Sequence, residues 1–243
     1  MVLSYKVRTL SDLTGRDIEE MFALMLRHYD NASESIFLND LNEKQWIIEL
    51  RDELTGALKG FSTQRLLHTS IDGKEITALF SGDTIVEREC WGSPLLAIAW
   101  GQLAVRIIEE QAERELYWFL ICKGFRTYRF LSVFFDEFMP CWNREATAYE
   151  RSVLNAFAME KFGQQFDPLR GILSADATTY RVRPEVDLLS ENRRDPHIAY
   201  FLEKNPGYHK GDELCCLTRL TLSNFSRAAK RLMATTAFVR AET

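Results

Sequence analysis

The 243-residue chain is 46% hydrophobic and 27% charged, a composition that suits a folded domain with a sizeable core and excludes a disordered one. A formal net charge of −5 argues against a non-specific nucleic-acid binder, which would carry a basic excess. No apolar run reaches the roughly 18 residues a membrane span needs, and Met1-Val2-Leu3-Ser4-Tyr5-Lys6 lacks the apolar stretch of a signal peptide, so a soluble cytoplasmic protein is expected, with no nucleic-acid partner and no membrane span.

Residues 4–10 alternate apolar and polar groups and predict a first strand. Thr14, with Asp17 three residues on, marks a helix start. Ile18, Met21, Phe22, Met25, Leu26 and Tyr29 follow at steps of three and four, on one helical face. A shorter helix is expected over about 33–43, capped by Ser33 or Ser35. Strands follow at 45–52, 57–70 and 74–88. Leu54-Thr55-Gly56 turns between the first two, and Asp72-Gly73 between the last two supplies the positive φ that a type I′ hairpin requires.

Gly92-Ser93-Pro94 then offers a turn, an N-cap and a proline at the first helical position. The polar stripe Gln102, Arg106, Glu109, Glu110 and Glu113 places a helix up to about 114, its broad apolar surface against a sheet. Leu116 to Cys122 is a continuous β-forming run, as expected of a strand buried on both faces. Residues 126–139 return to helix. The passage from strand through crossover helix to strand over 74–122 favours parallel pairing. Beyond Pro140, helices are expected at 145–162 and 195–204, and strands near 176–183 and 214–222. Asn205-Pro206-Gly207 breaks the chain, and Ser223 is the expected cap of a basic helix bearing Arg227, Lys230 and Arg231.

Ligands of open α/β sheets bind beyond the carboxyl ends of parallel strands, where helix N-termini present free N–H groups. Here that rule joins two loops, one holding Trp91, Gly92 and Ser93, the other Lys123, Gly124 and Arg126. These six are the expected cofactor-binding residues. The bland reading stands beside it: any helix starting at this point needs Gly92-Ser93-Pro94, and Lys123 and Arg129 would serve equally as solvated cations. Asp83 and Glu87 lie at even separation on the fourth strand and share a face, so either could take a proton from an amine, or both could sit in surface ion pairs. Tyr128 is a candidate proton donor or a core aromatic. The aromatic run from Tyr117 to Trp142 builds a core and offers an apolar channel. Cys90, Cys122, Cys141, Cys215 and Cys216 include no C-x-x-C pair and suit reduced thiols. His28, His68, His197 and His209 form no metal-ligand spacing, so no metal is expected.

The element order, with Asp83-Thr84-Ile85-Val86-Glu87 on the fourth strand, Leu116 to Cys122 as the fifth and Arg126 to Pro140 as the next helix, resembles the GNAT superfamily of acyl-CoA N-acyltransferases. The resemblance implies one mixed α/β domain over residues 1–243, with a helical insertion or lid at about 141–212. Its sheet would be mostly antiparallel, with a parallel pair splayed at the ligand site and helices flanking it. It implies a pantetheine arm in that splay, a pyrophosphate on the amides of about Trp91 to Leu95, and Glu87 or Asp83 as base, directly or through water. The family's phosphate loop, Gln/Arg-x-x-Gly-x-Gly/Ala, is departed from in Arg88-Glu89-Cys90-Trp91-Gly92-Ser93, where tryptophan replaces the first glycine. Phe134 or Phe135 stands where the family's acid tyrosine lies, leaving Tyr128 as an offset substitute. The expected donor is therefore an acyl-CoA or an acyl carrier protein thioester, and the acceptor a small-molecule amine. A non-catalytic binding or regulatory protein on the same scaffold, and a homodimer, remain open.

Overall fold

The computed structural model describes residues 1–176, 179–183 and 195–239. β1 (Leu3–Thr9) leads into α1 (Gly15–His28), which opens with the reciprocal Thr14–Asp17 capping box. The two-residue β2 (Tyr29–Asp30) follows, then α2 (Glu34–Asn42), β3 (Trp46–Asp52), β4 (Leu58–Ile71) and β5 (Lys74–Val86). Asp72 and Gly73 take φ of 51° and 79°, the paired positive values that let β4 and β5 reverse in two residues. α3 (Leu95–Glu110) crosses over to β6 (Glu115–Cys122), and α4 (Phe125–Phe134) comes next. The remainder comprises α5 (Ala148–Phe162), β7 (Phe166–Asp167), β8 (Ile172–Leu173), β9 (Arg181–Val182), α6 (Pro196–Lys204), β10 (Glu213–Arg219) and α7 (Arg227–Val239).

Eight strands form one sheet in the order β1-β3-β4-β5-β6-β10-β8-β7, and β2 pairs separately with β9. β5 and β6 run parallel, and the other pairs are antiparallel. Alternation along the strands divides the core. Leu79, Trp118 and Leu120 pack with Trp100 and Ile107 of α3 and Leu131 of α4. Ala78, Phe80 and Phe119 face the other way, onto Val153 and Phe157 of α5. Met21, Leu24 and Met25 of α1 meet Phe37, Phe61 and Ile85. Phe61 and Leu67 are six apart on β4 and share a face, so α1 and α2 lie beside α5 on one side of the sheet, with α3 and α4 on the other. Each large aliphatic or phenylalanine side chain buried in this way contributes roughly 1.5–3 kcal/mol.

Several expectations shift. α3 is capped by Pro94 and not Ser93, one residue late, although the Ser93 hydroxyl still accepts from the Leu95 amide at 3.4 Å. α4 stops at Phe134, short of 139, because Phe135 and Met139 bridge in extended form to Phe225 and Leu217 beside β10. Ser226, not Ser223, caps α7, its hydroxyl accepting from the Ala229 amide at 3.2 Å. α5 starts at a second capping box, Thr147–Glu150, slightly later than expected. Of the strand expected near 176–183, Arg181–Val182 is β9 and 177–178 lie outside the described residues, as do 184–194 of the expected insertion. Among the described residues no helix is long and apolar enough to cross a membrane, and no cluster of His, Cys, Asp and Glu could hold a metal ion.

Candidate active site

The parallel ladder runs from Ile76↔Glu115 to Ser81↔Leu120 and ends there, although β5 continues to Val86 and β6 to Cys122. On the opposite edge of β5, pairing to β4 passes from Gln64↔Ser81 to Ser62↔Thr84. Thr63 therefore faces two residues, Gly82 and Asp83. This is a β-bulge, which bends and over-twists the strand carrying the extra residue. The bulge falls where β5 parts from β6, and Asp83 stands on it.

Asp83 is half-buried on the face that carries α1 and α2. Among the described residues no hydrogen bond or ion pair holds its carboxyl. Burial, followed by the nearby Asp40, raises it to about 6, while Lys44 and Lys123 oppose the rise and Glu213 adds to it. Tyr29 and Tyr180 close over the same space, their rings 6.2 Å apart, and both hydroxyls are pushed up by burial and then by the Asp83 charge. The Lys123 ammonium lies 5.6 Å from each of those two ring centroids, donates to the Tyr180 carbonyl at 2.9 Å and pairs with Glu213 at 3.3 Å. Lys123 thus joins the Asp83 cluster and not the helix N-termini with which the sequence grouped it.

Glu87 faces α1 as well. Arg27 Nε donates to it at 2.8 Å, and His28 Nε2 lies 3.3 Å from its other oxygen. Glu87 is therefore engaged where Asp83 is not. Tyr128 is fully buried, its hydroxyl donating to the Pro140 carbonyl at 2.8 Å among the rings of Phe125, Phe138 and Phe201. Burial pushes that hydroxyl far up, so its place is that of a satisfied core aromatic.

The second half of the site lies on the α3–α4 side. Trp91 Nε1 donates to the Val86 carbonyl at 2.9 Å, and the Arg88 and Arg126 guanidinium carbons lie 5.8 Å and 3.7 Å from its ring centroid. The two loops named from the sequence thus meet through Trp91 and Arg126. Gly92 adopts φ of 94° in the turn before α3, a value other residues rarely hold. α4, capped by Gly124, has no side-chain cap on its first amides, and α3 has only the long contact from Leu95 to Ser93. Behind these starts, an apolar groove open to solvent is lined by Leu96, Ala97, Trp100, Trp118, Thr127, Phe130 and Phe134, with Ser62, Ser81 and Thr84 on its strand side. Its polar floor is a chain: Trp118 Nε1 donates to Ser81 Oγ at 2.8 Å, Ser81 Oγ to Gln64 Oε1 at 2.5 Å, Gln64 Nε2 to Ser62 Oγ at 2.8 Å, and Ser62 meets Thr84 at 2.7 Å.

Sequence reasoning missed Asp40, Lys44, Tyr29, Tyr180 and Glu213. One signal pointed towards them: Gly82, an isolated glycine inside a strand run, is the mark of a bulge. The other partners come together only through tertiary folding.

No family model matches the chain, and no curated protein matches it. Among similar solved structures, a probable N-acyltransferase from Enterococcus faecalis V583 shares 12% identity at TM-score 0.41, covering 52% of this chain and 31% of its own. Saccharomyces cerevisiae N-myristoyltransferase with bound myristoyl-CoA shares 12% at TM-score 0.41, covering 51% and 32%. A GNAT family N-acetyltransferase from Escherichia coli in complex with CoA shares 15% at TM-score 0.38, covering 54% and 69%. The chain spans about a third of the length of the first two. Such distant likenesses carry no argument about chemistry. The crossover α3, the parallel pair and the parting of its strands, which begins after Ser81, are those expected from the sequence.

Proposed function

We propose that this protein is an acyltransferase that moves an acyl group from a thioester, on CoA or on an acyl carrier protein, to the amine of a small molecule or amino acid. The observation that carries the reading is the β5 bulge at the splay. It sets a carboxyl with no fixed partner on one side of the sheet and an apolar pocket at two helix starts on the other. The thioester arm would lie along that apolar groove, and the first amides of α3 beyond Leu95, with Arg88 and Arg126, suit an anionic group at its mouth. Asp83 takes a proton from the acceptor ammonium. The freed amine attacks the thioester carbonyl, the C–N bond forms as the C–S bond breaks, and the leaving thiolate takes up the second proton that the nitrogen sheds. A carboxyl near 6 is ionised at neutral pH and still basic enough to serve.

A second reading, a non-catalytic binding protein, is favoured by Trp91 in the phosphate loop and by the engaged hydroxyl of Tyr128. One experiment separates the two: thiol release and product mass from acetyl-CoA, long-chain acyl-CoAs and acyl carrier protein, against a panel of amines. Turnover that falls about 100-fold or more in Asp83→Asn supports the first reading. Donor binding without turnover supports the second, and neither binding nor turnover sinks both.

A further inference from the structure

Lys44 is the most unusually placed cation among the described residues. It follows α2, and its side chain is 0% exposed. Its ammonium meets Asp40 at 2.5 Å and no other acceptor among the described residues. Burying an ammonium with so few partners is expensive unless its charge is used nearby. The slot that admits it is Gly82. A Cβ there would come 2.9 Å from Lys44 Cε, 3.2 Å from Nζ and 2.7 Å from Thr63 Oγ1, an oxygen with no hydrogen-bond partner among the described residues. The absent side chain is thus what brings the ammonium beneath the bulge, next in sequence to Asp83.

We propose that Lys44 is a positioning residue for the Asp83 base, its ammonium seated in the Gly82 slot to keep that carboxyl ionised where β5 and β6 part. This rests on the reading of Asp83 as the base. The groups facing Asp83 sort by element. Asp40 comes from α2, Tyr29 from β2 and Glu213 from β10; Lys123 follows β6, and Tyr180 precedes β9. Lys161 of α5 reaches Asp40 at 3.9 Å and Glu43 at 2.7 Å, and its charge opposes that of Lys44. Burial and the two other carboxylates favour a protonated Asp83. Lys44 and Lys123 favour the ionised form, and Lys123 is already tied to Glu213. Lys44 is therefore the counterweight whose position the bulge itself dictates.

The test is the Asp83 titration, followed by carboxyl-carbon NMR on the intact chain and assigned with Asp83→Asn. Lys44→Met should raise the midpoint by about one pH unit. Gly82→Ala, which keeps the charge but pushes it out of the slot, should raise it too and covers the case in which Lys44→Met does not fold. Asp40→Asn should lower the midpoint. A purely structural role for Lys44 predicts otherwise, since a loosened fold moves all three variants towards the ordinary carboxylate value. An unchanged midpoint in Lys44→Met, or a shift of all three in one direction, overturns the proposal. Because NMR reads the carboxyl directly, opposed shifts in a chain that turns over no donor leave the Lys44–Asp83 coupling standing and remove only the acyl-transfer reading.

Discussion

Arg126 lies over the ring of Trp91, its guanidinium carbon 3.7 Å from the ring centroid. The contact joins the loop after β5 to the first turn of α4, so the two helix starts at the mouth of the pocket are held by one cation–π pair. Trp91→Ala removes that pair and the hydrogen bond to the Val86 carbonyl together. Its expected effect is a loss of about 1–2 kcal/mol, with a larger fall in donor affinity than in stability. Denaturant melts and donor titrations on the same protein check this.

Asp83 should make the fold weaker as pH rises. Its carboxyl sits at about 6 against an ordinary 3.8, so between those values the folded state holds more protons than the unfolded one. Stability then declines with rising pH across that window, by about 3 kcal/mol, and the deficit is complete above it. Asp83→Asn removes the deficit, giving a protein more stable than wild type at pH 7 to 8 but inactive. Urea melts from pH 4 to 8 would show the two curves converging at the acid end.

Glu150 behaves in the opposite sense. Arg144 clasps it with two hydrogen bonds at 2.8 and 2.9 Å. That clasp, ahead of the amide of Thr147, holds its carboxyl down to about 2. The stability it contributes is full above the ordinary 4.5 and is lost as pH falls through about 2. Glu150→Gln should cost about 2 kcal/mol at pH 7 and little at pH 2, after allowance for its partial exposure. Acid titration of the melting midpoint reads the difference.

The polar floor of the pocket depends on Ser81. Ser81→Ala would strand Trp118 Nε1 and Gln64 Oε1 in a buried place, at a cost of about 1–3 kcal/mol for each unsatisfied group. Thr127→Trp should instead fill the pocket from α4 and block donor binding, with stability nearly unchanged. Thermal melts with and without acyl-CoA distinguish the two variants: the first melts lower, and the second loses the ligand-induced shift.

The hairpin at Asp72-Gly73, the Thr14–Asp17 box and the crossover from β5 to β6 were legible because each is a local rule with a local residue signature. The convergence of Trp91 with Arg126 was legible because parallel pairing puts successive helix starts on one edge. The end of β6 at Cys122 was legible, but Lys123 was misgrouped because the partners that draw it away, Tyr29, Tyr180 and Glu213, come together only through tertiary folding. Tyr128 read as a core aromatic more readily than as a donor, and the Pro140 carbonyl that engages it is supplied by a segment expected to be helix. Lys44 carried no pattern at all. A lysine after a short helix reads as solvated, and its burial follows from a bulge that only Gly82 hinted at.

The place of β10 has a consequence for how the chain assembles. It is the last strand in sequence, yet it lies between β6 and β8 in the sheet. During synthesis β7 and β8 emerge before the strand they dock against, and β6 waits with one edge open until residue 219 has left the ribosome. The five strands on the Asp83 side of β10 cannot be completed by their own local contacts. The α5 face and the Glu213 side of the site lock together in one late, long-range step, the kind of closure that slows folding. A chain cut before β10 would keep most of the named site residues and still lack a finished sheet around them.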